Sequence, residues 1–202
     1  MNDIYSDIIG HDTVKEGLVH AYRHGRLHHA LLFCGPSGIG KAMFARAFVQ
    51  SVLCVESDAE NLRRCGHCTN CTRVLRGAHP DVIQIRTDAA TIKIEEVRDL
   101  QERLGFAPFE SDRRFVIIED VHKMKAEAAN CLLKTLEEPE PHTTFILVTS
   151  QVQRLLPTIV SRCQTIRFAP FGHRAVVDYL VARGQTPEMA GQIAALSNGS
   201  FG

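Results

Sequence analysis

No stretch of the 202-residue sequence approaches 18 consecutive apolar residues, so a membrane-spanning helix is excluded and no membrane partner is expected. Net charge is missing as well. The 23 Lys and Arg residues balance 23 Asp and Glu, so composition gives no general argument for a nucleic-acid partner, although a local basic patch fits within a neutral total. The N-terminus, MNDIYSDIIGHD, has no basic region followed by an apolar core and no small-residue cleavage site, so no secretory leader is read there. The chain is expected to be cytoplasmic. Internal repeats and low-complexity segments are also absent. What is present is 45% hydrophobic content, enough to build a sizeable core.

Hydrophobic periodicity sets the class of fold. HALLFCG (29–35) is a short apolar run ending at glycine, and KAMFARAFVQSVLC (41–54) follows with helical spacing. After a polar, cysteine-bearing segment (55–77), DVIQI reads as a strand and IEEVRDLQERLG as a helix with Val97, Leu100 and Leu104 on one face. RRFVIIED predicts a third strand, followed by a helix over roughly 126–138 with Ala129, Leu132, Leu133 and Leu136 in register; Pro139 stops it. TTFILVTS is apolar almost throughout, as expected of a strand covered on both faces, and QTIRF predicts a fifth strand. The alternation predicts an α/β fold with a parallel five-stranded sheet. Beyond the break at 169–172, HRAVVDYLVARG and PEMAGQIAALSNG predict two short helices that are too few to bury a core of their own. The ending at NGSFG reads as a cut through a longer protein.

GPSGIGKA (35–42) sits between the first strand and its helix and matches the phosphate-loop pattern G-x-x-x-x-G-K-[ST] except at its last position. In such a loop, backbone N–H groups curl around phosphates, the lysine reaches the β and γ oxygens, and a hydroxyl holds Mg²⁺. Gly35, Gly38, Gly40 and Lys41 supply the first two functions; Ala42 cannot ligate a metal. Loss of one ligand weakens metal-supported hydrolysis more surely than phosphate cradling, because Mg²⁺ keeps several waters. Whether ATP or ADP binds here is therefore open. The acidic pair after the third strand reads Glu119-Asp120, the reverse of the Asp-Glu order used to steer Mg²⁺ and water. Reversal shifts each carboxylate by about 1.5 Å at most, and a misplacement of about 1 Å can cost on the order of a hundredfold in rate. The alternative is a pair of solvated strand-end acids.

Cysteine is plentiful for a cytosolic chain: there are seven, an odd number, with Cys65, Cys68 and Cys71 crowded together. Thiols in such a compartment stay reduced, so metal binding is expected rather than disulfides. Cys54 with Cys65, Cys68 and Cys71 forms C-x10-C-x2-C-x2-C, four thiolates able to close a tetrahedral zinc site. A closed shell of sulfur leaves no open position, so the zinc would be structural and His67 a neighbour. An iron–sulfur cluster is the rival, but its common bacterial run carries a further Cys-Pro that is missing here. Cys34, Cys131 and Cys163 read as small buried residues. Lys123, Lys125 and Lys134, on or near one helix, are either a solvated face or a contact for DNA. Arg162, in Ser161-Arg162-Cys163, is either an idle surface charge or a fork of donors for a phosphoryl group.

Taken together, GPSGIGKA, the four cysteines, HPDV (79–82), NCLLKTLEEPEPHTTFILVTS (130–150) and LLPTIVSRCQTI (155–166) resemble the bacterial DNA polymerase III clamp-loader subunits, a family of AAA+ proteins, and among them the delta prime kind. The resemblance implies an AAA+ domain over 1–168 with a zinc module at 54–71, and a small helical lid over 169–202. A C-terminal collar domain would be absent, so the fragment is expected to assemble poorly. The resemblance further implies a heteropentamer of delta, delta prime and gamma or tau subunits that places a sliding clamp on primed DNA. In it, ATP is hydrolysed at gamma or tau, while a delta prime-like subunit is a stator whose arginine, here Arg162, serves a neighbour's ATP. An ATP-hydrolysing gamma or tau-type subunit is the alternative. Ala42, the Glu119-Asp120 order and Gly202, which stands where those subunits carry an arginine, separate this chain from them. Thr149 matches the polar sensor position, with simple capping of its strand as the other reading.

Overall fold

The computed structural model describes residues 10–57, 62–86 and 89–200. Gly202 and the first part of MNDIYSDIIGHD lie outside the described residues. The element order is α1 (Asp12–Arg23), β1 (Ala30–Cys34), α2 (Lys41–Leu53), α3 (Thr69–Leu75), β2 (Val82–Ile85), α4 (Ile94–Leu104), β3 (Arg114–Ile118), α5 (Ala126–Glu137), β4 (Thr143–Thr149), α6 (Pro157–Ser161), β5 (Gln164–Arg167), α7 (His173–Ala182) and α8 (Pro187–Leu196). Single 3-10 turns at Val121–Lys123 and Val152–Arg154 follow β3 and β4.

The five strands run parallel in the order β2-β3-β4-β1-β5. Alternating strand residues feed two cores. Leu31, Phe33, Phe115, Ile117, Ile146 and Val148 face α1 and α2, where Leu18, Phe44 and Phe48 pack. Leu32, Val116, Ile118, Phe145 and Leu147 face α4 and α5, against Val97, Leu100, Leu132 and Leu136. Both faces of the sheet are covered, which is why the central strands read as continuous apolar runs. Phe44 and Phe48 are fully buried, and truncating either to alanine would cost about 3–5 kcal/mol. β5 is an edge strand with Gln164, Thr165 and Arg167 exposed.

All five strands fall where the periodicity puts them. On α5 the core face is Ala128, Ala129, Leu132 and Leu136, with Leu133 half-buried. Three helices escape sequence reading: α1 buries only Leu18, α3 lies inside the cysteine segment, and α6 is a single turn started by Pro157. The pair α7 and α8 attaches through Phe171, whose N–H donates to Gly199 O (3.0 Å) and whose ring meets that of His11 at 4.8 Å.

Candidate functional site

Chain order jumps from β1 to β2 at the far edge and returns through β3 and β4, so the C-terminal ends of β1, β3 and β4 converge where such sheets bind ligands. The register sets Cys34 beside Thr149. Gly35 leaves β1 with its Cα against Phe168; a Cβ there would sit 2.3 Å from the Phe168 carbonyl oxygen. Glycine is therefore required by packing onto the end of β5, whatever the loop holds. Gly40, at φ 86°, is the left-handed residue that opens α2. Gly38 lies between them.

Lys41, 7% exposed, donates its Nζ to the carbonyls of Gly35 (2.8 Å) and Pro36, bridging the loop from within. Burial lowers its pKa, and Asp120 opposes the shift. Ala42 turns its methyl into the core shared with α2.

The two acids each have a cation of their own. Glu119 is ion-paired with Arg46, which stands on α2 just past the loop lysine; both side chains are mostly buried. Asp120, in left-handed geometry at φ 49°, pairs with Lys123 at 2.9 Å. Lys123 is thus engaged within its own turn, whereas Lys125 and Lys134 are exposed. Thr149 Oγ1 accepts the N–H of Gln151 (3.0 Å), which caps the strand, and lies 3.2 Å from His122 Nδ1. Burial lowers the His122 pKa, so the ring is held toward its neutral form.

Arg162 caps the C-terminal end of α6. Its Nη1 donates to Thr158 O (3.0 Å) and its Nη2 lies 2.5 Å from Glu137 Oε1, at the end of α5. The Arg162 side chain remains 34% exposed. Beside it, burial pushes the Cys163 thiol up to about 12, so it is no nucleophile.

The four predicted cysteines come together. Cys54 caps α2 in extended geometry, Cys68 caps α3, and the sulfurs of Cys54, Cys65, Cys68 and Cys71 all lie within 4.8 Å of one another. Backbone N–H groups point at three of them: Cys65 to Cys54 Sγ (3.4 Å), Cys68 to Cys65 Sγ (3.2 Å) and Cys71 to Cys68 Sγ (3.4 Å). Such donors stabilise thiolates. At Cys68, burial pushes the pKa up, but the N–H groups and neighbouring thiols prevail and bring it to about 7. At Cys71 burial dominates and raises it. The cluster could hold one metal ion. Gln50, donating to Cys71 O (2.7 Å), and Asn70, donating to Leu53 O (2.8 Å), fasten the module to α2. His67 is exposed, with Nδ1 on Cys65 O (3.0 Å) and Nε2 on Glu56 (2.9 Å).

Sequence reasoning missed two residues. Arg46 has no signature beyond its place one turn past Lys41. Asp81, in HPDV, is fully buried and accepts the N–H groups of Phe109, Glu110 (2.8 Å) and Ser111 (2.8 Å), while Arg114 donates to Arg103 O, Leu104 O and Ala107 O. Together they hold both ends of the segment joining α4 to β3.

The sheet order, the glycine loop and the acids after β3 define an AAA+ protein. In fold the chain is similar to the RuvB Holliday junction branch migration motor of Thermotoga maritima, with TM-score 0.59 and 17% identity over 96% of this chain and 59% of that one. It is likewise similar to a DNA polymerase III gamma subunit-related protein of Thermotoga maritima, with TM-score 0.55 and 19% identity over 89% of this chain and 58% of that one. More particularly, the chain belongs to the family described as DNA polymerase III, delta subunit, whose family model matches residues 10–172. It is 40% identical over 185 residues to DNA polymerase III subunit delta' of Bacillus subtilis (strain 168), covering 92% of this chain and 55% of that protein. DNA polymerase III subunit tau of the same organism is 36% identical over 174 residues, 86% of this chain and 30% of that protein. The chain thus spans about half the length of the delta' relative and less of the tau one. Among the described residues, no helix is long and apolar enough to cross a membrane.

Proposed function

We propose that this chain works as a delta prime-type clamp-loader subunit. It does not hydrolyse ATP itself but offers Arg162 to the ATP held by a gamma or tau neighbour, in a complex with delta that sets a sliding clamp on primed DNA. The observation that carries the reading is the state of the acids: Glu119 and Asp120 are each neutralised by a cation of the same chain, Arg46 and Lys123. A carboxylate paired with a cation has part of its charge and one of its oxygens already engaged, which weakens it as a Mg²⁺ ligand or a base for water. Ala42 supplies no replacement ligand, and Thr149 caps its own strand. Arg162, in contrast, is partly exposed beside the C-terminal end of α5. Residues 1–168 form the AAA+ unit of this reading and 169–202 its lid.

Zinc suits the four thiolates. Zn–S bonds of about 2.3 Å in a tetrahedron set neighbouring sulfurs about 3.8 Å apart, and Cys54 and Cys68 stand at 3.9 Å. All four positions are sulfur, so the metal would tie α2 to α3 and take no part in chemistry.

The experiment is ATP hydrolysis by the full-length subunit, alone and assembled with gamma or tau. Alone, it is expected to show no turnover; turnover abolished by Lys41→Ala would instead favour the gamma or tau-type reading. In the assembly, Arg162→Ala should slow hydrolysis by about a hundredfold or more at the site it serves. An unchanged rate would remove the arginine's role.

A further inference from the structure

We propose that Glu137 is a positioning residue for Arg162, an inference that rests on the reading of Arg162 as a group acting in trans. Glu137 is the last residue of α5, where the partial negative charge of the final carbonyls disfavours a carboxylate. Its Oε1 is nevertheless 2.5 Å from Arg162 Nη2, so the guanidinium is what makes the placement favourable. The second acceptor, Thr158 O at 3.0 Å from Nη1, belongs to α6. One hydrogen bond and one ion pair, on two different helices, restrict where the fork can point. Of its five N–H donors, one on Nη1 is used by Thr158 O, Glu137 is held against Nη2 as an ion pair, and no further partner is found among the described residues.

An unsupported arginine at the end of a one-turn helix would sample many rotamers, and each would have to be given up when a phosphoryl group arrives. Held by Glu137, the guanidinium meets that group already oriented, which lowers the barrier without new contacts to the nucleotide. Glu137 touches no nucleotide in this scheme and acts only through Arg162. The same carboxylate could be imagined as a competitor that withholds the arginine. The free donors speak against that role, because pairing with Glu137 leaves the fork able to bond a phosphate without letting go.

The test is steady-state ATP hydrolysis by gamma or tau assembled with full-length Glu137→Gln, Arg162→Ala or the double variant, ATP being varied, with assembly checked by size exclusion. Glu137→Gln is expected to lower kcat about tenfold with KM little changed, and to add nothing in the Arg162→Ala background. Glu137→Asp, which keeps the charge, should recover part of the loss and remains readable if the Gln variant assembles poorly. An increase in kcat, no change, or a loss that adds to that of Arg162→Ala would each overturn the role of Glu137 while leaving the trans-acting arginine in place. No effect of Arg162→Ala alone would overturn both readings.

Discussion

Replacing Asp81 by Asn tests whether one buried carboxylate organises the segment between α4 and β3. Asp81 is fully buried and takes three backbone N–H groups, Phe109 on Oδ1 and Glu110 and Ser111 on Oδ2. An amide of the same shape keeps one oxygen, best used for Glu110 and Ser111, and turns its own N–H donors on the Phe109 N–H. Two bonds then fall from charge-assisted to neutral, about 1 kcal/mol each, and one donor is left facing a donor, about 1–3 kcal/mol. The sum is about 3–5 kcal/mol, which for a chain of this size lowers Tm by about 10 °C. Calorimetry or urea unfolding measures it. The linkage gives a second check. At Asp81 burial pushes the pKa up, but the three N–H donors outweigh it and hold the group below its ordinary 3.8. Its stabilisation is therefore complete above about 3.8 and is lost as pH falls through the depressed folded value. The gap between wild type and Asp81→Asn should accordingly narrow in strong acid. A loss under about 1 kcal/mol at neutral pH, or a gap that does not narrow, would refute the reasoning.

Purified chain should carry one zinc per molecule by elemental analysis, Cys68→Ser should lose it, and a strong chelator should lower Tm; a metal-free chain with unchanged Tm would oppose the zinc assignment. Ala42→Ser restores the loop hydroxyl but leaves Glu119 on Arg46 and Asp120 on Lys123, so no ATP turnover is expected from it; turnover would show that the ion pairs do not matter. His11, His29, His79 and His122 all have their pKa lowered by burial from the ordinary 6.5. Here the unfolded chain binds protons more readily, so the contribution of these histidines should be level above about pH 7 and stability should decline as pH falls below about 6.5. A His122→Gln variant should flatten part of that decline in urea midpoints measured between pH 5 and 8, and an unaltered slope would exclude His122.

The sheet, the helices other than α1, α3 and α6, the glycine loop and the cysteine set were legible in the sequence because each is a local pattern. Strand runs, helical periodicity and the C-x2-C spacing are properties of neighbouring residues, and a motif such as GPSGIGKA needs only its own eight positions. HPDV was visible as a motif, but the role of Asp81 was not, since its three partners lie 28 to 30 residues away. Arg46 and Glu119 are 73 residues apart, and Arg162 meets Glu137 only because α5 and α6 end side by side. A lone charged residue carries no periodicity, so its sequence neighbours do not reveal its partner. The sequence by itself thus determined which fold and which chemical groups this protein has. Tertiary structure alone decided that Arg46 neutralises Glu119 and that Glu137 meets Arg162, because these ion pairs depend on distances that the fold sets between residues far apart in the chain.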